Sequence, residues 1–181
     1  MIDTIYIEEA VREHPRTLAV LSRYPKARQI ICEHYGAIFN RSQQSFRLQK
    51  QNPALILAQK SGNRVLPAPA DYGIGGEHNF YFSHLLNCLY DCRYCFLQGM
   101  FRSANYIMFV NYEDFYTDIA ATQNTLDAPG WYFSGYDCDS LAMEPVTNFV
   151  ADTLDWFAKQ PNAKLELRTK STQVRSLLSR E

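Results

Sequence analysis

Long apolar runs are missing from this chain. No stretch approaches the roughly 20 residues a membrane-spanning helix needs, and the opening MIDTIYIEEAVREHP is acidic where an export signal is basic and then apolar. A cytoplasmic protein with no membrane role is the expectation. An excess of one charge is missing too: 18 Lys and Arg face 19 Asp and Glu, so no global field draws in polyanions and any contact with nucleic acid is local. With 8 Gly and 8 Pro in 181 residues and no low-complexity tract, disordered and collagen-like chains are excluded. At this length a core can be buried without disulfide staples. An even cysteine count is also lacking, and five cysteines without an export signal argue for reduced thiols.

Three of those cysteines, Cys88, Cys92 and Cys95, fall within eight residues as CxxxCxxC in NCLYDCRYC. Clustered thiolates point to metal. Short spacings of this kind wrap a loop around an iron–sulfur cluster, and three ligands on a 4Fe–4S cluster leave one iron open to a substrate or cofactor. Zinc stands beside this reading. A structural zinc site takes four ligands, usually as two CxxC-like pairs; there is no second pair here, so zinc has to recruit Cys138, His78 or His84.

The chain divides near the Gly- and Pro-rich stretch from Ser61 to Gly76. Residues 1–70 read as a small α/β domain. Strands are expected at Thr4–Ile7, Arg28–Cys32 and the ALILA run, with a helix from Pro15 to about Arg23. From residue 71 to 181 short strands alternate with longer helices, as βα units on a parallel sheet do. Strands fit Asn79–Ser83, Gly130–Ser134 and Lys164–Arg168; helices fit Tyr112–Gln123, Met143–Lys159 and the segment from Thr172 onward. Three such units in about 100 residues are less than half of a closed (β/α)₈ barrel, which takes about 200 or more. Ending in mid-helix on apolar Leu177 and Leu178, the chain reads as truncated. The fold class expected is α/β: a small N-terminal α/β segment, then the first βα units of a partial TIM-type barrel.

FYFSHLLNCLYDCRYCFLQGMF, from Phe80 to Phe101, resembles the cluster loop of radical S-adenosylmethionine (AdoMet) enzymes, with an aromatic, Tyr94, before the last cysteine. More narrowly it is similar to the spore photoproduct lyase family, whose loop reads CxxxCxYC, an aromatic, then Leu-Gln: here Phe96, Leu97 and Gln98. The likeness continues through SGYDCDSLAMEP to LRTKS. It implies Cys88, Cys92 and Cys95 as ligands of a 4Fe–4S cluster whose open iron chelates AdoMet. One-electron cleavage then yields a 5′-deoxyadenosyl radical that abstracts hydrogen from substrate. It further implies Tyr94 beside the cofactor, and Ser134, Gly135, Cys138 and Lys170 as cofactor contacts. A flavodoxin- or ferredoxin-type electron donor and repair of a thymine photolesion in DNA are implied as well. Two positions depart from the family. Its hydrogen-donor cysteine corresponds to Tyr136 here, and the hydroxylated aromatic after the last cluster cysteine to Phe96. Both changes fall on the positions that return hydrogen to the product radical, where Cys138 substitutes only after a two-residue loop shift, so Tyr94, Tyr136 and Cys138 are the catalytic candidates that the resemblance implies. The rivals are a radical enzyme with another substrate, a zinc or iron–sulfur module without catalysis, and a fragment that binds metal without turnover.

Other features have plainer readings. Of 25 aromatic rings, 13 lie between Tyr72 and Tyr116, which suits a buried barrel wall better than a base-stacking surface; Tyr90 and Tyr94, inside the loop, are the exceptions. Gly73–Gly76 precedes a strand and has no helix N-terminus to offer a phosphate. Arg41, Arg47, Phe46 and Lys50 read as a solvated basic patch, His84 as structural, and Glu144 as an acid in the first turn of a helix.

Overall fold

The computed structural model describes residues 2–178; the far end of the helix expected from Thr172 onward, residues 179–181, lies outside them. The strands are β1 (Thr4–Glu8), β2 (Arg28–Cys32), β3 (Leu55–Ala58), β4 (Leu66–Pro67), β5 (His78–Tyr81), β6 (Leu85–Leu86), β7 (Tyr106–Phe109), β8 (Gly130–Ser134) and β9 (Ala163–Leu167). The helices are α1 (Pro15–Arg23), α2 (Tyr35–Phe39), α3 (Phe46–Gln49), α4 (Leu97–Met100), α5 (Tyr112–Gln123), α6 (Glu144–Thr147), α7 (Phe149–Phe157) and α8 (Arg175–Leu178). The fold class is the α/β one expected, with sheets that are parallel apart from two short strands.

Contacts group the residues into two compact units, and not by a single cut near residue 70. The first comprises 1–60 with 85–110, the second 61–84 with 111–181. The first unit holds a five-stranded sheet in the order β2-β1-β3-β7-β6. Its middle strand β3 is buried on both faces, which is why LILA is an unbroken apolar run instead of an alternating one. β7 was not expected from the sequence. It pairs in parallel with β3, Leu55 opposite Tyr106 through Ala58 opposite Phe109, and so draws residues 85–110 into the N-terminal sheet. α1 begins as expected with Pro15 in its first turn, and His14 caps it by accepting the Arg16 amide at 3.2 Å.

The second unit holds β4-β5-β8-β9. β5, β8 and β9 are the three parallel strands expected of the βα units, in register from His78 opposite Gly130 and Gly130 opposite Ala163. Helix α5 runs over the expected residues. The long helix expected from Met143 to Lys159 is instead two, because Asn148 takes a left-handed conformation (φ 49°) between α6 and α7; Asn tolerates it better than most residues. The core here is aromatic: Phe82 lies 6.0 Å from Phe149, 6.1 Å from Phe115 and 6.5 Å from Phe157, centroid to centroid. Of the aromatic-rich segment, Phe82, Phe109, Tyr112, Phe115 and Tyr116 are core, while Tyr72, Tyr94 and Phe96 are exposed.

His84 belongs to this core. It is 1% exposed, stacks on Phe149 at 3.6 Å and 6°, and neither ring nitrogen has a hydrogen-bond partner. Burial pushes its pKa from 6.5 down to about 3, so the folded chain carries it neutral. Between pH 6.5 and 3 the unfolded chain binds a proton there that the folded chain refuses, and stability falls as pH drops through that window. His84→Phe keeps the stack and removes two orphaned polar atoms. It is expected to gain about 1 kcal/mol at pH 7.5, with the gain growing at pH 5, as read by urea melts of both proteins. Equal gains at the two pH values would refute a neutral, unpartnered ring.

Candidate radical-chemistry site

The cysteine loop, between β6 and β7, lies in the first unit. Its mouth is closed by Asn87, whose left-handed backbone (φ 68°) turns the chain and whose amide donates to the carbonyls of Ser103 at 2.8 Å and Asn105 at 2.7 Å. Inside the loop the Tyr90 amide donates to Cys88 Sγ at 3.4 Å, and the Cys95 amide to the Cys92 carbonyl at 2.9 Å. α4 starts two residues after Cys95, so the last cysteine of the motif sits where loop gives way to helix. All three cysteines are partly accessible, none is in a disulfide, and Tyr94 is 78% exposed. Burial, and then the proximity of Cys88 and Asp91, raise the pKa of Tyr106.

A single tetrahedral zinc at about 2.3 Å from each thiolate holds its sulfurs about 3.8 Å apart. Among the described residues, Glu77, His78 and Asp127 bring potential ligand atoms within 4.8 Å of one another, Glu77 and Asp127 exposed and His78 half-buried. His84, a candidate fourth zinc ligand, spends its ring on Phe149.

The second group of expected site residues lies in the second unit, where the loop after β8 is laced to the segment after β9. Ser134 is fully buried, and its hydroxyl meets Ser140 Oγ at 2.8 Å. The Ser140 amide donates to the Arg168 carbonyl at 2.9 Å, and the Arg168 amide donates back to Ser140 Oγ at 3.0 Å. Gly135 has φ 82°, and a Cβ there would stand 2.5 Å from Ser140 Oγ and 2.8 Å from the Arg168 carbonyl oxygen; only glycine fits so close an approach. Buried Asp139 is the hub. Its Oδ1 accepts from the Leu141 amide at 2.9 Å and Thr169 Oγ1 at 2.7 Å, and its Oδ2 from the Lys170 amide at 2.6 Å. The backbone of Lys170 is thereby fixed by the SGYDCDS loop. Cys138 is buried. Tyr136 stacks on Tyr81 at 4.4 Å and meets Tyr72 edge-on at 6.2 Å; burial, then Asp137 and Tyr136, raise the pKa of Tyr81.

Glu144 is an acid in a first turn, as expected, but its carboxylate serves the next helix. Both oxygens accept from the Val150 amide at the start of α7, at 3.1 and 3.0 Å, and Oε1 also from Ser176 Oγ at 2.9 Å. Sequence reasoning missed the roles of Asp139 and Ser140 as hubs, and of Asn87 and Lys50 around the cysteine loop. A polar residue beside each motif was the only signal for them.

A sequence profile of the family described as Spore photoproduct lyase matches residues 80–181. No curated protein matches the chain. Among solved structures, a spore photoproduct lyase variant aligns with TM-score 0.81 at 14% identity. Another, with bound AdoMet and dinucleoside spore photoproduct, aligns with 0.82 at 13%, and a complex of the lyase with dinucleoside spore photoproduct with 0.78 at 13%. Each alignment covers 98% of this chain and 52% of the other, so the chain spans about half the length of these structures and shares the fold of that half. Among the described residues no helix is long and apolar enough to cross a membrane.

Proposed function

This chain belongs to the spore photoproduct lyase family, and from that premise we propose that it is a radical AdoMet protein whose Cys88, Cys92 and Cys95 hold a 4Fe–4S cluster. The observation that carries the reading is the CxxxCxxC loop itself, tied at its mouth by Asn87. When bound, the cluster and AdoMet together supply a 5′-deoxyadenosyl radical for hydrogen abstraction. The chain's residues bind and orient. Ser134, Gly135, Cys138 and Lys170 are the AdoMet contacts by correspondence with the family, and Tyr94 lies beside the cofactor. Asp139 holds the Lys170 backbone, and Ser140 holds the Ser134 hydroxyl and the Arg168 backbone.

The substrate we propose is a thymine photolesion in DNA; in support, two of the similar structures are complexes with dinucleoside spore photoproduct. Tyr136 and Phe96, standing where the family has its hydrogen-donor cysteine and a hydroxylated aromatic, favour a second reading: a radical AdoMet protein that returns hydrogen by another route or acts on another substrate. Anaerobic reconstitution with iron and sulfide, then low-temperature EPR of the dithionite-reduced protein, tests the first claim. A reduced-cluster signal that changes shape on adding AdoMet is the expected result. One tightly bound zinc and no cluster would overturn it.

A further inference from the structure

We infer that Lys50, at the end of α3, is a positioning residue that holds the cysteine loop in its ligand-presenting shape; the inference rests on the reading of that loop as a cluster site. Lys50 Nζ donates to Asp91 Oδ1 at 2.5 Å and to Gln98 Oε1 at 3.1 Å. Asp91 stands between the first and second cysteines and Gln98 three residues after the third, so one ammonium brackets the ligand set from both sides. Its neighbour Gln49 extends the grip. Gln49 Oε1 accepts from the Ala104 amide at 3.0 Å and Ser103 Oγ at 3.3 Å, on the strand-side limb of the loop. Lys50, Gln98 and Cys88 also line one small cavity of about 20 Å³, room for about one water.

Stability alone does not account for this arrangement. The Lys50 and Asp91 side chains are 38% and 71% exposed, and exposed pairs contribute about 0–1 kcal/mol. A lysine also does something a neutral clasp would not: it sets a positive charge against a loop of thiolates, and charge near a cluster tunes its potential. The polar stretch RSQQSFRLQK, which reads from sequence as a solvated patch, thus ends in a buttress for the loop.

The test uses Lys50→Ala, Lys50→Arg and the charge-reversed pair Lys50→Asp with Asp91→Lys. Hydrogen exchange on the protein without metal is read first. Lys50→Ala is expected to speed exchange of the amides of residues 88–98 several-fold, with Lys50→Arg close to wild type and little change in melting temperature. Iron loading is read second. Lys50→Ala is expected to load less than half the iron of wild type, the reversed pair to recover most of it, and the loaded fraction to show a more negative midpoint potential. Unchanged exchange in Lys50→Ala would overturn the inference, as would a loss of loading that merely follows a large fall in melting temperature. Wild-type protein that takes up no iron would sink the cluster reading instead, while the exchange data still decide whether Lys50 holds the loop.

Discussion

Replacing Cys88, Cys92 or Cys95 singly with alanine should take iron from about four atoms per chain to near zero after reconstitution, and abolish the visible absorption. Each thiolate holds its own iron in the proposed cluster, so losing one leaves two protein ligands and two open irons, a set too labile to survive desalting. The controls lie in the same chain. Cys32 is on β2 and Cys138 in the loop after β8, and alanine at either should leave loading within about a factor of two, since neither belongs to the motif. The comparison also separates the metals. A closed zinc site needs a fourth ligand, so a loss of metal on replacing Cys138 equal to that on replacing Cys92 would show a Cys₄ centre and end the radical reading.

The second large effect should come from Asp139. Alanine there strands the Leu141 and Lys170 amides and the Thr169 hydroxyl, all bonded to one buried carboxylate. Charged hydrogen bonds contribute about 1.5–3 kcal/mol each but are not additive, and a net loss of about 3 kcal/mol is expected, a fall of roughly 6–12 °C in melting temperature for a chain of this size. Asparagine is the sharper probe. Its oxygen can still accept from Leu141 and Thr169, but its amide nitrogen would face the Lys170 N–H, donor against donor. Asp139→Asn should therefore lose less stability than alanine while still displacing the Lys170 backbone, and so weaken AdoMet binding out of proportion to the change in melting temperature. Two variants equal in stability and in AdoMet affinity would remove Asp139 from the positioning of Lys170.

How much of this was legible in the chain depends on how far each interaction reaches. β1, β2, α1, α5 and β8 carry their own signals: β-branched or aromatic runs, Pro15 in a first turn, amphipathic spacing. The cysteine triad was equally plain, because ligand spacing is local. β7 was not. YIMF is apolar throughout and four residues long, too short for periodicity to tell strand from helix or loop, and what makes it a strand is β3, some fifty residues earlier. α3 lacks an apolar period and is held by what Gln49 and Lys50 grip. Asp139 and Thr169 are 30 residues apart, and a hydrogen bond across that separation leaves no trace in either neighbourhood. The break in the helix at Asn148 was foreseeable in kind, Asn being a common left-handed residue, but not in place.

The return of β7 to β3 bears on how the molecule is made. A ribosome that has released residues 1–60 has exported three strands of a five-stranded sheet, with the apolar edge of β3 still waiting for Ile107, Met108 and Phe109. β5, paired on one side with the short β4, likewise waits on its other side for β8, which emerges about fifty residues later. Both units therefore mature late, and in overlapping order. Biochemical dissection meets the same constraint: scission at the glycine-rich segment would leave β3 and β7 on different pieces, each with a sticky apolar edge, so separate expression of the two sequence halves should yield aggregates, whereas co-expression could recover the sheet and, with it, the cysteine loop that the sheet carries.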